Sequence, residues 1–152
     1  MEKYSRGLRG HTANVATIKE IEMARKYLDD IGMSSESRPE NWALDNPRRD
    51  LWEKEREIYG FDQRETWGLD DTILIFLYER LMMYKEKNIL DLTFHQREYK
   101  GKTMNMEEAL DLMIEGCRIA VLKHISERNN EDREKVKRVF ELLAIWYEEL
   151  WW

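Results

Sequence analysis

The longest apolar segment of the chain, at about 69–87, has hydrophobic positions on nearly every side of a helix. Its polar side is narrow and consists of Thr72, Glu79 and Glu86. At about 100° per residue, Arg80 falls between Phe76 and Tyr84, inside the apolar sector. Because a buried guanidinium without a partner is costly, the pattern predicts an anionic partner for Arg80, either an internal carboxylate or a ligand.

Four further segments have the apolar spacing of amphipathic helices. They predict helices at about 17–31, 47–59, 106–128 and 130–150. All four have recognisable start signals. Thr17 and Glu20 have the spacing of a capping box. Asn46-Pro47 pairs an N-cap with a proline in the first helical position, Asn105 and Glu108 have the spacing of a capping box, and Asn130 is a candidate cap for the last helix.

Residues 92–104 differ from the helical segments, because strand-forming side chains such as Phe94 and Tyr99 precede the turn sequence Lys100-Gly101. This arrangement predicts a small β-hairpin. The predicted fold class is therefore mainly α, with about five helices packed around the central apolar helix (about 69–87) and one small β-hairpin (about 92–104). We predict a single domain over residues 1–152, with the basic residues 1–13 forming a flexible arm or an arm that reaches an anion.

One histidine falls within a predicted helix. His124 lies in the middle of the apolar face of the segment 106–128, two turns after Cys117, which is too far for both to bind one metal ion without further ligands. We therefore predict that His124 is a buried structural histidine.

The composition is that of a folded and well-solvated protein, since 42% of the 152 residues are hydrophobic and 37% are charged. A formal net charge of −6 disfavours non-specific binding to nucleic acid or to anionic membranes, because both need a basic face. Cys117 is the only cysteine, which excludes an internal disulfide and a cysteine-based zinc site. Residues 1–11 lack the apolar stretch of a signal peptide, and we expect a cytoplasmic protein.

Aromatic and basic side chains near the central helix predict a pocket for a small, anionic, nucleotide-like ligand. Trp67 and Tyr84 are suited to stack on a base. The cationic candidates for contact with phosphate are Arg64, Arg80, His95 and Arg97. The same residue types are common in ordinary helical proteins, so their spacing is not diagnostic. For Arg80, an internal ion pair and a ligand contact remain alternatives.

No grouping typical of catalysis occurs, neither a Ser-His-Asp or Cys-His set nor a Gly-rich phosphate loop. Glu108 and Asp111 have the E-x-x-D spacing with which helical pyrophosphohydrolases hold Mg²⁺. The same helix face also carries Glu107 and Arg118, which is typical of a solvated surface. We therefore predict no catalytic residue, no metal ligand and no cofactor. A magnesium-dependent nucleotide pyrophosphohydrolase remains an alternative.

The chain ends in a cluster of aromatic residues. Trp146 fits the apolar face of the last predicted helix, whereas Trp151 and Trp152 extend beyond it. Two exposed tryptophans would form an apolar patch that soluble monomers tend to avoid. We therefore predict a homo-oligomer formed through Trp146, Trp151 and Trp152.

Between Gly60 and Cys117 the chain carries the patterns E-T-W-x-L-D, Y-E-R-L, F-H-x-x-E-Y-x-G and M-I-E-G. In these elements it resembles an uncharacterised family of small, mainly helical proteins encoded by phages and prophages. The resemblance covers under half of the chain and implies no catalytic residues. It implies a context in which small accessory phage proteins act against host defence or regulate host machinery.

The leading hypothesis combines this context with the predicted pocket. It is a phage-encoded protein that sequesters an anionic nucleotide signal of host defence in the host cytoplasm, without catalysis. The principal alternative is an inhibitor or regulator that binds a host protein through an acidic surface edged with aromatic residues.

Overall fold

The computed structural model describes residues 27–33 and 38–151. These residues contain five α-helices, one β-hairpin and four short 3-10 turns. The helices are α1 (Arg49–Tyr59), α2 (Arg64–Trp67), α3 (Leu69–Lys87), α4 (Met106–Leu122) and α5 (Asn130–Trp146). The strands are β1 (Gln96–Tyr99) and β2 (Lys102–Asn105), and the 3-10 turns are Asp29–Ile31, Pro39–Asn41, Ile125–Glu127 and Tyr147–Glu149. The predicted fold class is thereby confirmed. The basic arm 1–13 and most of the predicted helix 17–31 lie outside the described residues.

The hairpin forms where its turn sequence predicts it. β1 and β2 are antiparallel, with Tyr99 opposite Lys102. Lys100 (φ 51°) and Gly101 (φ 75°) are both left-handed, which is the geometry that a two-residue turn needs to match the twist of the strands. Met104 is buried and the Tyr99 hydroxyl donates to the Glu141 carboxylate, so the hairpin packs against the helices as a short hairpin requires.

Helix α4, and not the predicted helix at 69–87 (α3), lies at the centre of the described core, because α4 packs against both α3 and α5. Its start is the predicted capping box: the Glu108 amide donates to Asn105 Oδ1, and the Asn105 amide donates to Glu108 Oε2, each at 2.9 Å. Four of its side chains are completely buried, namely Ala109, Leu110, Met113 and Cys117. Helix α3 adds Leu74, Ile75, Tyr78 and Leu81 to the same core.

The end of α4 corrects the prediction for His124. The helix stops at Leu122, and His124 is exposed and caps the 3-10 turn that follows, with its Nδ1 accepting from the Ser126 amide at 3.3 Å. Arg128 explains the early stop, because its guanidinium donates to the carbonyl oxygens of Ala120 and Lys123 at 2.9 and 3.1 Å. These bonds satisfy carbonyls at the end of α4 that the next helical turn would otherwise bind.

Two predicted helix starts are displaced. The helix expected from Pro47 begins at Arg49, because Asn46 Oδ1 accepts from the Arg48 amide at 2.9 Å and holds a turn there. The last helix is capped by Asn129 rather than Asn130, with Asn129 Oδ1 accepting from the Asp132 amide at 2.8 Å. Within the described residues, no helix combines the length and the hydropathy needed to cross a membrane.

Candidate functional site

The six residues predicted to bind a ligand lie in three different places. Arg64 and Trp67 belong to the packing around α2, Arg80 lines a groove beside α3, and Tyr84, His95 and Arg97 lie near the C-terminal residues. The structure therefore does not bring them together in one pocket.

Arg64 is part of the scaffold, since only 3% of its surface is exposed. Its Nε and Nη2 donate to the two carboxylate oxygens of Asp62, at 2.9 and 2.8 Å. Its Nη1 donates to the carbonyl oxygens of Glu40 and Trp42, at 2.7 and 3.0 Å. The guanidinium also lies 4.9 Å from the centre of the Trp52 ring, to which Trp67 packs edge-on. Arg64 thus links residues 40–42 to α2, and all three of its guanidinium nitrogens donate within the chain.

Asp62 is the carboxylate that Arg64 and Arg56 share. Its side chain is fully buried and also accepts two hydrogen bonds from Arg56, at 3.0 and 2.8 Å. Burial by itself would raise the pKa of Asp62, but the hydrogen bonds from Arg64 and Arg56 outweigh burial and lower the pKa to about 2. The carboxylate is therefore charged at neutral pH.

The low pKa of Asp62 predicts a loss of stability in acid. Because the pKa is lower in the folded chain than the ordinary 3.8, the stabilising contribution is complete above about pH 4 and is lost as the pH falls towards 2. We expect the difference in unfolding free energy between the wild type and Asp62→Asn to shrink by on the order of 2 kcal/mol over that range. Urea unfolding at pH 5 and pH 2.5 measures it, and a pH-independent difference would contradict the assignment.

Arg80 is exposed, so the prediction that it lies in a buried apolar sector was wrong. The side chain folds back on its own helix, with Nη1 donating to the Phe76 carbonyl at 3.3 Å and Cζ 3.6 Å from the Phe76 ring centre. No carboxylate of the described residues lies within ion-pair distance of it. The error arose because apolar residues such as Phe76 are exposed on the outer side of α3. On a helical wheel these residues predict a buried face.

Arg80 lines a groove of about 440 Å³, here called the arginine groove, between α3, the end of α1 and the 38–40 segment. Its charged lining residues are Arg38, Arg56, Arg80, Glu40, Glu65 and Glu79. Arg56 pairs with Glu65 at 2.7 Å, and Arg38 pairs with Glu79. Two buried polar atoms of the groove residues have no hydrogen-bond partner, Arg38 Nε and Thr72 Oγ1. Such atoms are uncommon in folded proteins, and the described residues supply no hydrogen-bond partner for either of them.

Sequence reasoning missed most of this groove. Thr72, Phe76 and Arg80 follow one another at four-residue spacing and so lie along one line of α3, which is a signal that the sequence does contain. Arg38 and Phe61 had no such signal, because they come from irregular segments that only the tertiary fold brings to α3.

The second cavity, here called the tail pocket, has a volume of about 380 Å³ and includes Tyr84 and His95 in its lining. The Tyr84 hydroxyl donates to the Trp151 carbonyl at 3.2 Å and thereby ties the C-terminal residues to α3. Arg97 forms an ion pair with Glu149, and His95 Nδ1 lies 3.9 Å from the other oxygen of that carboxylate. The positive charge of Arg97 is therefore already compensated within the chain.

The tryptophans near the C-terminus differ sharply in exposure. Trp146 is completely buried, so the prediction that it contributes to an oligomer surface was wrong: it packs inside its own chain. Trp151 is 67% exposed and keeps the potential for an intermolecular contact. Trp152 lies outside the described residues.

Glu108 and Asp111, the acidic pair with the spacing of a Mg²⁺ site, both contact other side chains or backbone of the chain. Glu108 belongs to the capping box of α4, and Asp111 forms an ion pair with Lys85. Among the described residues, no cluster of three or more His, Cys, Asp or Glu side chains has the geometry to hold a metal ion. Burial raises the pKa of the Cys117 thiol to about 12, so that this side chain is protonated and unreactive at neutral pH.

No protein-family model matches the chain, and neither a curated protein nor a solved structure matches it.

Proposed function

We propose that this is a non-enzymatic binding protein that captures a small ligand with one anionic group in the arginine groove. The observation that carries the proposal is Arg80, an exposed guanidinium that is held in place over Phe76 and has no carboxylate partner among the described residues. A positioned arginine of this kind can meet a phosphate or carboxylate with two parallel N–H bonds.

The unsatisfied donors of the groove support the same ligand chemistry. Arg38 Nε and the Thr72 hydroxyl are buried without a hydrogen-bond partner, and both residues line the cavity that Arg80 lines. An oxyanion that reaches them would satisfy two donors that otherwise cost free energy in the folded state. A ligand without an acceptor oxygen would leave both donors as they are.

The charge balance of the groove limits the ligand to a single negative group. The lining contains as many glutamates as arginines, and Glu65 and Glu79 are paired with Arg56 and Arg38. Among the lining residues, Arg80 is the arginine and Glu40 the glutamate without an ion pair in the described chain, so the groove has no net positive charge with which to compensate a triphosphate. A phosphodiester, with one charge per phosphate, suits the groove better.

An aromatic side chain is available for a base or another flat group. Phe61 lines the arginine groove and is 50% exposed, whereas the ring face of Phe76 is covered by Arg80. Stacking on Phe61 would take the role that sequence reasoning assigned to Trp67 and Tyr84. A nucleotide with a phosphodiester therefore combines the two features that the groove can recognise.

The biological setting of this proposal is taken from the resemblance of residues 60–117 to phage and prophage proteins. In that setting the ligand is a nucleotide signal of host defence, and the protein sequesters it in the host cytoplasm. Sequestration needs no acid, base or metal ion, only tight binding at a protein concentration that exceeds that of the signal.

The test is ligand binding by the wild type and by Arg80→Ala. Cyclic mononucleotides, which have one charged phosphodiester, are the expected ligands, and cyclic dinucleotides, ADP-ribose and ATP, which have two or more negative charges, are the comparisons. A ligand at about 100 times its dissociation constant should add roughly 2.7 kcal/mol to stability, a shift of several degrees in Tm. Recovery of the intact nucleotide after denaturation separates capture from hydrolysis.

We expect Arg80→Ala to weaken binding at least tenfold, since a hydrogen bond to a charged group contributes about 1.5–3 kcal/mol. Its Tm without ligand should stay near that of the wild type, because Arg80 is exposed and has no ion pair to lose. Arg118→Ala, another exposed helical arginine, is the matched control and should bind normally. Unchanged binding by Arg80→Ala, or no binding of any nucleotide, would move the assignment to the protein-binding alternative.

A further inference from the structure

The tail pocket differs from the arginine groove in its walls. Most of the side chains that line it are apolar: Leu90, Leu92, Phe94, Met106 and Trp151. Its volume of about 380 Å³ lies within the range of small-molecule sites, roughly 300–1,000 Å³. Phe94 is 76% exposed and Trp151 is 67% exposed, so two large aromatic groups stand at this cavity without a partner in the described chain that covers them.

One carboxylate oxygen in this apolar pocket lacks a hydrogen bond. Glu149, whose side chain is only 17% exposed, uses Oε1 for the ion pair with Arg97. Its Oε2 is buried, has no hydrogen-bond partner, and lies 3.9 Å from His95 Nδ1, which is beyond hydrogen-bond distance. A ligand with a hydrogen-bond donor would satisfy this buried acceptor on binding in the pocket.

The charge of the pocket lining favours a ligand whose donor group is cationic. Arg97 compensates the charge of Glu149 from outside the lining, and the carboxylate of Asp91, which also lines the pocket, has no ion pair among the described residues. The wall therefore has a net negative character and disfavours an anionic ligand. Aromatic faces add attraction for a cation, and tryptophan provides the strongest attraction of this kind.

We propose that the tail pocket binds a small apolar amine. Its apolar body lies against Phe94 and Trp151, and its ammonium group donates to Glu149 Oε2. This site is separate from the arginine groove and has the opposite charge preference, so the two proposals stand or fall independently.

The experiment compares matched pairs of probes that differ only in the cationic group. Tryptamine and phenethylamine are the amines, and tryptophol and 2-phenylethanol are the corresponding alcohols. Binding is followed through the indole N–H signal of Trp151 in NMR spectra, which Trp151→Phe assigns. We expect the amines to shift this signal and to bind at least tenfold more tightly than the alcohols. Equal binding of amines and alcohols, or no shift with either, would overturn the proposal.

Two variants test the role of each wall. Glu149→Gln should remove the preference for the amines, whereas Glu148→Gln, an exposed neighbour, should retain it. Phe94→Ala removes an exposed ring, so it should fold normally and weaken both amines and alcohols. Loss of amine binding in Glu148→Gln to the same extent as in Glu149→Gln would contradict the assignment of Glu149. If Glu149→Gln does not fold, the comparison of probes on the wild type and Phe94→Ala decides the outcome.

Discussion

Asp62→Ala is expected to lower the free energy of unfolding by about 3–5 kcal/mol, the largest effect of any single replacement considered for this protein. Removing the carboxylate leaves the Arg64 guanidinium buried, with only the two carbonyl oxygens of the 39–42 turn as partners. It also removes one of the two carboxylates that Arg56 contacts. A buried charge that loses its counterion is far more costly than an exposed ion pair that is broken.

Urea unfolding of Asp62→Ala at pH 7 measures this effect, with Glu57→Gln on α1 as the control. Glu57 is exposed, and its replacement should change stability by less than about 0.5 kcal/mol. The double variant Asp62→Ala/Arg64→Met should be more stable than Asp62→Ala alone, because it removes the uncompensated charge. A cost below about 1 kcal/mol for Asp62→Ala would show that the cluster is not a buried charge network.

Gly116→Ala is the second large effect, with an expected loss of about 1–3 kcal/mol from overpacking. A Cβ atom at Gly116 would lie 2.4 Å from the Lys135 carbonyl oxygen and 2.4 Å from Val139 Cγ2, both on α5. The first of these is backbone, so the clash cannot be relieved by rotating a side chain. The two helices that form the most extensive contact of the described fold would have to separate.

The sign of the result is decisive, since alanine in a helix is otherwise favoured over glycine by about 1 kcal/mol. Thermal unfolding followed by circular dichroism should show a lower Tm for Gly116→Ala than for the wild type. Arg118→Ala, on the exposed side of α4, should leave the Tm nearly unchanged. A higher Tm for Gly116→Ala would mean that α4 and α5 do not approach each other as closely as described.

The elements that were predicted well are those whose signals are local. The capping box of Asn105 and Glu108 and the turn at Lys100-Gly101 each involve residues within four positions of one another, and both form as expected. The end of α4 was predicted poorly for the complementary reason. Arg128 stops that helix by reaching back to Ala120, a contact that depends on the path of the intervening chain.

The candidate site shows the same division more strongly. Arg64 lies in a polar stretch and Arg80 in the longest apolar segment, yet Arg64 is buried against Asp62 and Arg80 is exposed beside a groove. The sequence spacing of the two residues does not predict which of them is buried, because burial depends on which segments pack over α2 and α3. The pairing of Arg97 with Glu149 joins residues far apart in the chain and could not be read from either segment.

The sequence by itself determined that this protein is mainly helical with one hairpin, and that its fourth predicted helix is capped by Asn105. These follow from hydrophobic periodicity and capping, which act over a few residues. Only the tertiary structure decided which cations are compensated and which cavity each aromatic side chain lines. That decision depends on contacts between distant segments, where the free energy of a charge is set by its neighbours and by its access to water.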